Sequence, residues 1–489
     1  MLRRLFWAAV LFSLFAANAV WCWRNRVNGD VAWYLYAAMR LRDGAKLYHD
    51  LQSQNLPLTY LVHLPTAYLS ALLRVPIQAV FYGGIWLVVA AILIVTEREL
   101  RRMRSRAFLL VLIAAGALSL SRGDFGQRDP LVALCLVPPV LAAYLRVRGE
   151  TPGKLLRILL GVAAVAIAIK PYFLVPWSFV VLWLASAIGW RRVARLPETW
   201  AVPAVSGLSW IATIALFPSY LGMASLAGRY YGAFDGPFGL FAPLVPASFT
   251  MVAALLWKAQ PAIRPLIRLS ACCGAGFVLE CLIQRKGFSY HIAPALFWAF
   301  LCAGLVILDI SRQKAAIAPV LSAGVAVWSL FTATVAPPLY PKDPVEPVVA
   351  RYAHQREVLS LSTDLWMAFP LVLEAGARNA PPDLWPVAGM YQDQVQSAAK
   401  SAQPALARYH TRAEMSEAER ALFDQVVQAM TVDHPAVLLV QRGPWKQALG
   451  PLQFDFLDYY STDSAFRAEL QHYVPGPSNE KCQVWIRSL

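Results

Sequence analysis

Charge is scarce in this sequence. Only 15% of its 489 residues are Asp, Glu, Lys or Arg, while 58% are hydrophobic. A soluble domain carries about 25% charged residues, so a water-soluble globule is excluded. Acids are the scarcer sign, 29 against 44 basic residues, for a net charge of +15. In a soluble protein that excess would suggest nucleic acid. Here the Lys and Arg residues sit mainly in short loops between apolar runs, where they set topology and meet anionic lipid. Cysteine is also sparse. Six of the seven, Cys22, Cys135, Cys272, Cys273, Cys281 and Cys302, lie in or beside apolar runs, and Cys482 stands alone in the tail. No spacing among them suits zinc, and none suggests a disulfide framework. A Gly-rich nucleotide loop and an internal repeat are both missing.

What is present is a series of apolar runs of about 20 residues, the length a bilayer demands of a helix. They fall near Leu5–Trp23, Ile77–Thr96, Phe108–Leu120, Leu131–Tyr144, Leu155–Ile169, Tyr172–Ile188, Trp200–Phe217, Phe238–Trp257, Leu266–Ile283, Ile292–Leu308 and Ala318–Val335. This is a polytopic α-helical membrane protein with about eleven transmembrane helices. The first run contains Ala17-Asn18-Ala19, which mimics a leader-cleavage site. Its length, and an interfacial belt of Trp21, Trp23 and Arg24, favour a retained helix.

Loop charge sets the topology. Pro57–Leu73 is apolar enough to cross, but it is short and carries His63 and Pro65. If it crossed, the basic loop TERELRRMRSR would be external. If it lies in the interface, that loop is cytoplasmic, as the positive-inside rule requires. The loops beginning RVRGETPGK, WRRVARLPE, KAQPAIRPLIR and DISRQK then fall inside as well. The N-terminus is accordingly expected in the cytoplasm and the C-terminus outside. The first external loop, 24–75, is expected to hold interfacial helices, among them an amphipathic one over Val31–Leu41 closed by Gly44.

The membrane part is expected to run over 1–336, followed by a Pro-rich linker over 337–347. The tail, 348–489, reads as an α/β domain. Val358–Asp364 and Pro435–Val440 are apolar enough for buried strands. Ser416–Ala429 is a helix with a capping box of Ser416 and Glu419.

With this topology the anomalous polar residues gather on the external side. Asp30 follows the first span, and Arg122–Asp129 (RGDFGQRD) joins the third and fourth. Lys170-Pro171-Tyr172 joins the fifth and sixth. Arg229, Tyr230, Tyr231 and Asp235 precede the eighth, and Gln284–His291 (QRKGFSYH) joins the ninth and tenth. External cations are what the positive-inside rule depletes, and charges at membrane helix ends are commonly functional or snorkelling.

The first external loop resembles that of the GT-C superfamily of polyprenyl-phosphate-sugar-dependent glycosyltransferases, which includes protein mannosyltransferases and aminoarabinose transferases. The matching residues are Gly29-Asp30, Tyr34, Gly44, Leu47-Tyr48, Asp50 and Asn55-Leu56-Pro57-Leu58. A second acidic turn, carried by Asp124 and Asp129, also fits. Leu56 stands where many relatives have Pro, and GDFGQRD is not a simple paired-acid motif. The resemblance implies an enzyme of the bacterial inner membrane. It would move a sugar from a polyprenyl phosphate to an extracytoplasmic glycan, lipid or protein acceptor, with inversion. No nucleotide sugar is then needed.

The residue types suit that chemistry. One carboxylate must take the acceptor hydroxyl proton, and Asp30 is the candidate base, with Asp124 and Asp129 as further catalytic candidates. The phosphate leaving group needs fixed positive charge and hydrogen-bond donors. Arg128, Lys170, Arg229, Arg285, Lys286 and His291 are the candidates for it. Tyr34, Tyr172, Tyr230, Tyr231 and Gln284 are candidates for substrate contacts. No cofactor is called for, although Asp30, Asp124 and Asp129 are the set a divalent cation would use if one is bound. Plainer roles compete. Asp30 is equally suited to cap the helix after it, Asp129 before Pro130 to open the fourth span, Lys170 to snorkel, and His291 to start a helix. The rival function is a transporter or flippase for lipid-linked sugars, which should show broken helices and inverted repeats. A scaffold that binds a cell-envelope partner through its tail is a third reading.

Overall fold

The computed structural model describes residues 2–103, 106–311, 316–401, 404–443, 446 and 448–488. Arg104 in the first basic loop and Arg312–Lys314 in the last lie outside the described residues. Among those described, eight helices are long and apolar enough to cross a membrane. Each of the eleven apolar runs contains a helix, but three are shorter: Arg106–Ala115 with its extension, Lys154–Ala168 and Leu244–Leu256. The protein is an integral membrane protein. Its chain folds as two compact units.

The first unit comprises Met1–Asn25, Ala79–Ala212 and Gly236–Leu339. Departures from regular helix here have local causes. The fourth span breaks at Leu136 into Arg128–Cys135 and Val137–Val147, because Pro138 and Pro139 offer no N–H to the ladder. The eighth begins at Leu244 rather than Phe238, after a 3₁₀ turn over Phe238–Phe241. The third ends in a π-helical turn, Gly116–Leu120. A carbonyl loosened there needs a partner inside the membrane. Asn18 Nδ2 donates to Leu118 O at 2.8 Å, and Trp86 Nε1 donates to Asn18 Oδ1 at 2.8 Å. Arg122 turns away from any ligand role, donating to Ser329 O at 2.6 Å and to the Thr332 hydroxyl. The helix Arg264–Gln284 packs so closely on the sixth span that a Cβ on Gly276 would lie 2.4 Å from Pro176 Cα.

The second unit comprises Arg26–Gln78, Thr213–Asp235 and Tyr340–Leu489. The first loop is thus compact with the tail rather than with the spans. Its helix Gly29–Arg42 packs on Leu365–Ala375, with the Trp33 and Phe369 rings 4.6 Å apart edge to face. Gly29 is required there, since a Cβ would meet Trp366 at 2.6 Å. The helical stretch Leu58–Leu73 packs against Gly29–Arg42, with the His63 and Tyr34 rings stacked at 6.0 Å and Arg42 donating to Ala67 O at 3.1 Å.

The tail holds a five-stranded sheet in the order Arg378–Ala380, Glu357–Leu361, Val437–Gln441, Cys482–Arg487, Tyr473–Ser478. The first three are parallel and the last two antiparallel to their neighbours. The helix Glu417–Gln428 is capped by Ser416, whose side chain accepts from Glu419 N at 3.2 Å. The reciprocal half of the capping box does not form. The Glu419 side chain is buried and accepts from the Tyr391 and Tyr459 hydroxyls at 3.0 and 2.8 Å, with His410 Nδ1 at 2.8 Å.

Candidate active site

Lys170 is the centre of a buried polar cluster in the membrane-spanning unit. It precedes Pro171, and the residue before proline is pushed out of the helical region. Lys170 is accordingly extended, φ −147° and ψ 128°, and ends the helix Lys154–Ala168. Its Nζ lies 3.5 Å from Asp129 Oδ1 and 3.4 Å from His291 Nε2. The Tyr172 and Phe173 rings stand 5.7 and 5.6 Å away. An ammonium has three donors. Two of them point at Asp129 and His291, which leaves one to give.

Asp129 occupies the first turn of Arg128–Cys135 and is fully buried. Its Oδ2 has no hydrogen-bond partner among the described residues, and neither has His291 Nδ1. If His291 Nε2 accepts from Lys170, Nδ1 carries the ring proton and is a buried donor without an acceptor. Buried polar atoms are seldom left so. Asp124 sits in the 3₁₀ turn Arg122–Asp124 and accepts from Ser289 Oγ at 3.0 Å. Arg128 acts electrostatically on Lys170.

One acid absent from the sequence-based set joins this cluster. Glu280, on Arg264–Gln284, has no exposed surface and bears electrostatically on Lys170. It accepts from Gln284 Nε2, while its Oε2 has no hydrogen-bond partner among the described residues. Gln284 is therefore engaged by Glu280. The signal was available, because a carboxylate within an apolar run is costly and commonly functional. Arg285 follows with φ 57°, exposed, and its carbonyl accepts from Gly236 N at 2.8 Å. Lys286 is half-buried beside it.

The remaining candidates belong to the other unit. Asn28, not Asp30, caps Gly29–Arg42, and its side chain accepts from Asp30 N at 3.0 Å. Asp30 is free of the capping role and sits in the first helical turn. Tyr34 is buried between His63 and Tyr60. Arg229 is exposed at the end of Tyr220–Tyr230. Tyr230 covers Gly389, where a Cβ would meet it at 2.6 Å, and Tyr231 packs edge to face on Trp385 at 5.3 Å. Both tyrosines thus have packing duties within this unit. No group of three His, Cys, Asp or Glu side chains among the described residues is arranged to hold a metal ion.

The order of apolar helices followed by a C-terminal α/β domain is the fold of ArnT. The crystal structure of ArnT from Cupriavidus metallidurans bound to undecaprenyl phosphate is similar with a TM-score of 0.53 and 14% identity, over 98% of this chain and 97% of that one. Its apo structure is similar with a TM-score of 0.51 and 12% identity, over the same shares. No family model matches the chain, and no curated protein matches it.

Proposed function

We propose that the protein is a membrane glycosyltransferase that moves a sugar from a polyprenyl phosphate to a hydroxyl of an extracytoplasmic glycan, lipid or protein. The observation that carries this reading is the Lys170 cluster. A half-buried ammonium with a donor to spare, beside a His291 nitrogen lacking an acceptor, is what a phosphate needs. The ArnT-like fold supports the same reading, since that neighbour was crystallised with undecaprenyl phosphate.

In this reaction Asp30 takes the proton from the acceptor hydroxyl as its oxygen bonds to the anomeric carbon. The bond from that carbon to the phosphate oxygen breaks on the opposite face, with inversion. Polyprenyl phosphate leaves with the electron pair, and Lys170 with Arg128 and His291 stabilises the growing negative charge. Arg229, Arg285 and Lys286 are further phosphate ligands in this scheme. The N-terminus lies in the cytoplasm.

The test is transfer of radiolabel from a polyprenyl-phosphate sugar by protein in nanodiscs. Label should reach an envelope acceptor with the wild type and not with Asp30→Asn. Equal activity of the two would sink the mechanism.

A further inference from the structure

The Lys170 cluster holds one acid more than its ammonium needs. Two cations and two acids meet there: Lys170 itself, with Arg128, Asp129 and Glu280 acting on it. Lys286 acts on the neighbouring His291. Asp129, 3.5 Å from Lys170 Nζ, would neutralise the ammonium alone. Glu280 comes from a separate element, the helix Arg264–Gln284, which packs on the turn Pro171–Phe173 that follows Lys170. It lies four residues beyond Gly276, on the helix face that meets Pro176.

An acid in this place is costly. Glu280 has no exposed surface, and Oε2 has no hydrogen-bond partner among the described residues. An apolar side chain would fill the same helix face without that cost. The ammonium, by contrast, is held loosely. Its contacts with Asp129 and His291, at 3.5 and 3.4 Å, are longer than the usual hydrogen bond of about 2.9 Å, and its side chain is 16% exposed. Glu280 is thus a fixed opponent of any anion that Lys170 receives.

That opposition falls unequally on two kinds of lipid phosphate. A sugar-linked polyprenyl phosphate is a phosphodiester with one negative charge. The polyprenyl phosphate left after transfer is a monoester, which carries about two near neutral pH. Coulomb energy is proportional to charge. Cations alone would therefore hold the monoester more tightly than the diester, and the product would stay. Two acids set against two cations cancel that preference.

We propose, on the glycosyl-transfer reading, that Glu280 is a specificity-determining residue that favours the phosphodiester donor over the monoester product and so promotes product release. It acts through the electrostatic field at Lys170 and touches neither lipid, so it is not a catalytic residue.

The experiment is native mass spectrometry on the full-length protein in nanodiscs at about pH 8.5, where a monoester with a second pKa of about 6 is a full dianion. The probes are undecaprenyl phosphate and its methyl ester, undecaprenyl methyl phosphate, a diester of single charge. Wild type should bind the two with affinities within about threefold of each other. Glu280→Gln removes the charge and keeps an oxygen to accept from Gln284, as Glu280 does. It should tighten the methyl ester about threefold and undecaprenyl phosphate about tenfold, since the second charge doubles the energy. A packing defect would weaken both lipids alike, so the ratio of the two affinities carries the test. The wild-type ratio needs no variant and decides the matter if Glu280→Gln fails to fold. The proposal is overturned if wild type prefers undecaprenyl phosphate by more than about threefold, or if Glu280→Gln leaves the ratio unchanged. Either result, with undecaprenyl phosphate bound, leaves the donor reading standing. Binding of neither lipid by wild type overturns the two together.

Discussion

The Lys170 ammonium stands 3.5 Å from the carboxylate of Asp129, an acid with no exposed surface. Neither charge is stable there alone, and removing one partner of a buried pair costs about 3–5 kcal/mol. Lys170→Met should therefore lower the unfolding temperature and weaken undecaprenyl phosphate binding tenfold or more. Adding Asp129→Asn should recover most of the stability and none of the binding. Thermal unfolding in detergent and native mass spectrometry read the two effects apart. Full binding in the Lys170→Met variant would contradict a phosphate role for this residue.

Asp30→Asn should separate chemistry from folding. The helix keeps its cap, because Asn28 supplies it. The loss of charge from the first turn should cost at most about 1 kcal/mol. Removal of a general base should lower transfer by about 10²–10⁴-fold. Single-turnover transfer with donor in excess, beside a thermal melt, measures both.

Glu419 holds the C-terminal domain together through three acceptor bonds. Glu419→Ala leaves the Tyr391 and Tyr459 hydroxyls buried without an acceptor. At about 1–3 kcal/mol for each unsatisfied group, a loss of about 3 kcal/mol is expected. Glu419→Gln keeps one carbonyl oxygen to accept and should lose less. Chemical denaturation followed by tyrosine fluorescence would show the order of the two variants.

Asp383 predicts a pH dependence with a definite sign. Its carboxyl, raised by burial from 3.8 to about 7, binds a proton more tightly in the folded chain than in the unfolded one. Stability from this group is complete below pH 3.8 and is lost as pH rises through about 7. Asp383→Asn should flatten that part of the stability profile. Unfolding temperatures between pH 5 and 8 test it, and an unchanged slope would rule out a buried titrating acid at this position.

Much of this architecture was legible because hydropathy is a property of composition. Each apolar run became a helix, and the strands around Leu359 and Leu438 were visible as short apolar segments. Competition between equivalent side chains was not legible. Asn28 and Asp30 are both good caps two residues apart, and only the folded backbone decides between them. Glu419 has the right spacing for a capping box, but buried tyrosines claim its oxygens. Glu280 stands alone as an acid within an apolar run, and only the fold brings it within electrostatic reach of Lys170. The grouping of Arg26–Gln78 and Thr213–Asp235 with the tail is non-local, and no local pattern announces it.

The backbone at Arg285 has one further consequence. At φ 57° it adopts a conformation that glycine enters freely and a side chain does not. Arg285→Gly should thus make the protein more stable, by about 1 kcal/mol, while stripping a cation from the loop before Ser289–Ser311. A chain that keeps arginine where glycine would rest more easily gives up durability at that position. Directed evolution for heat resistance alone should discover this substitution, and selection for sugar transfer should reject it.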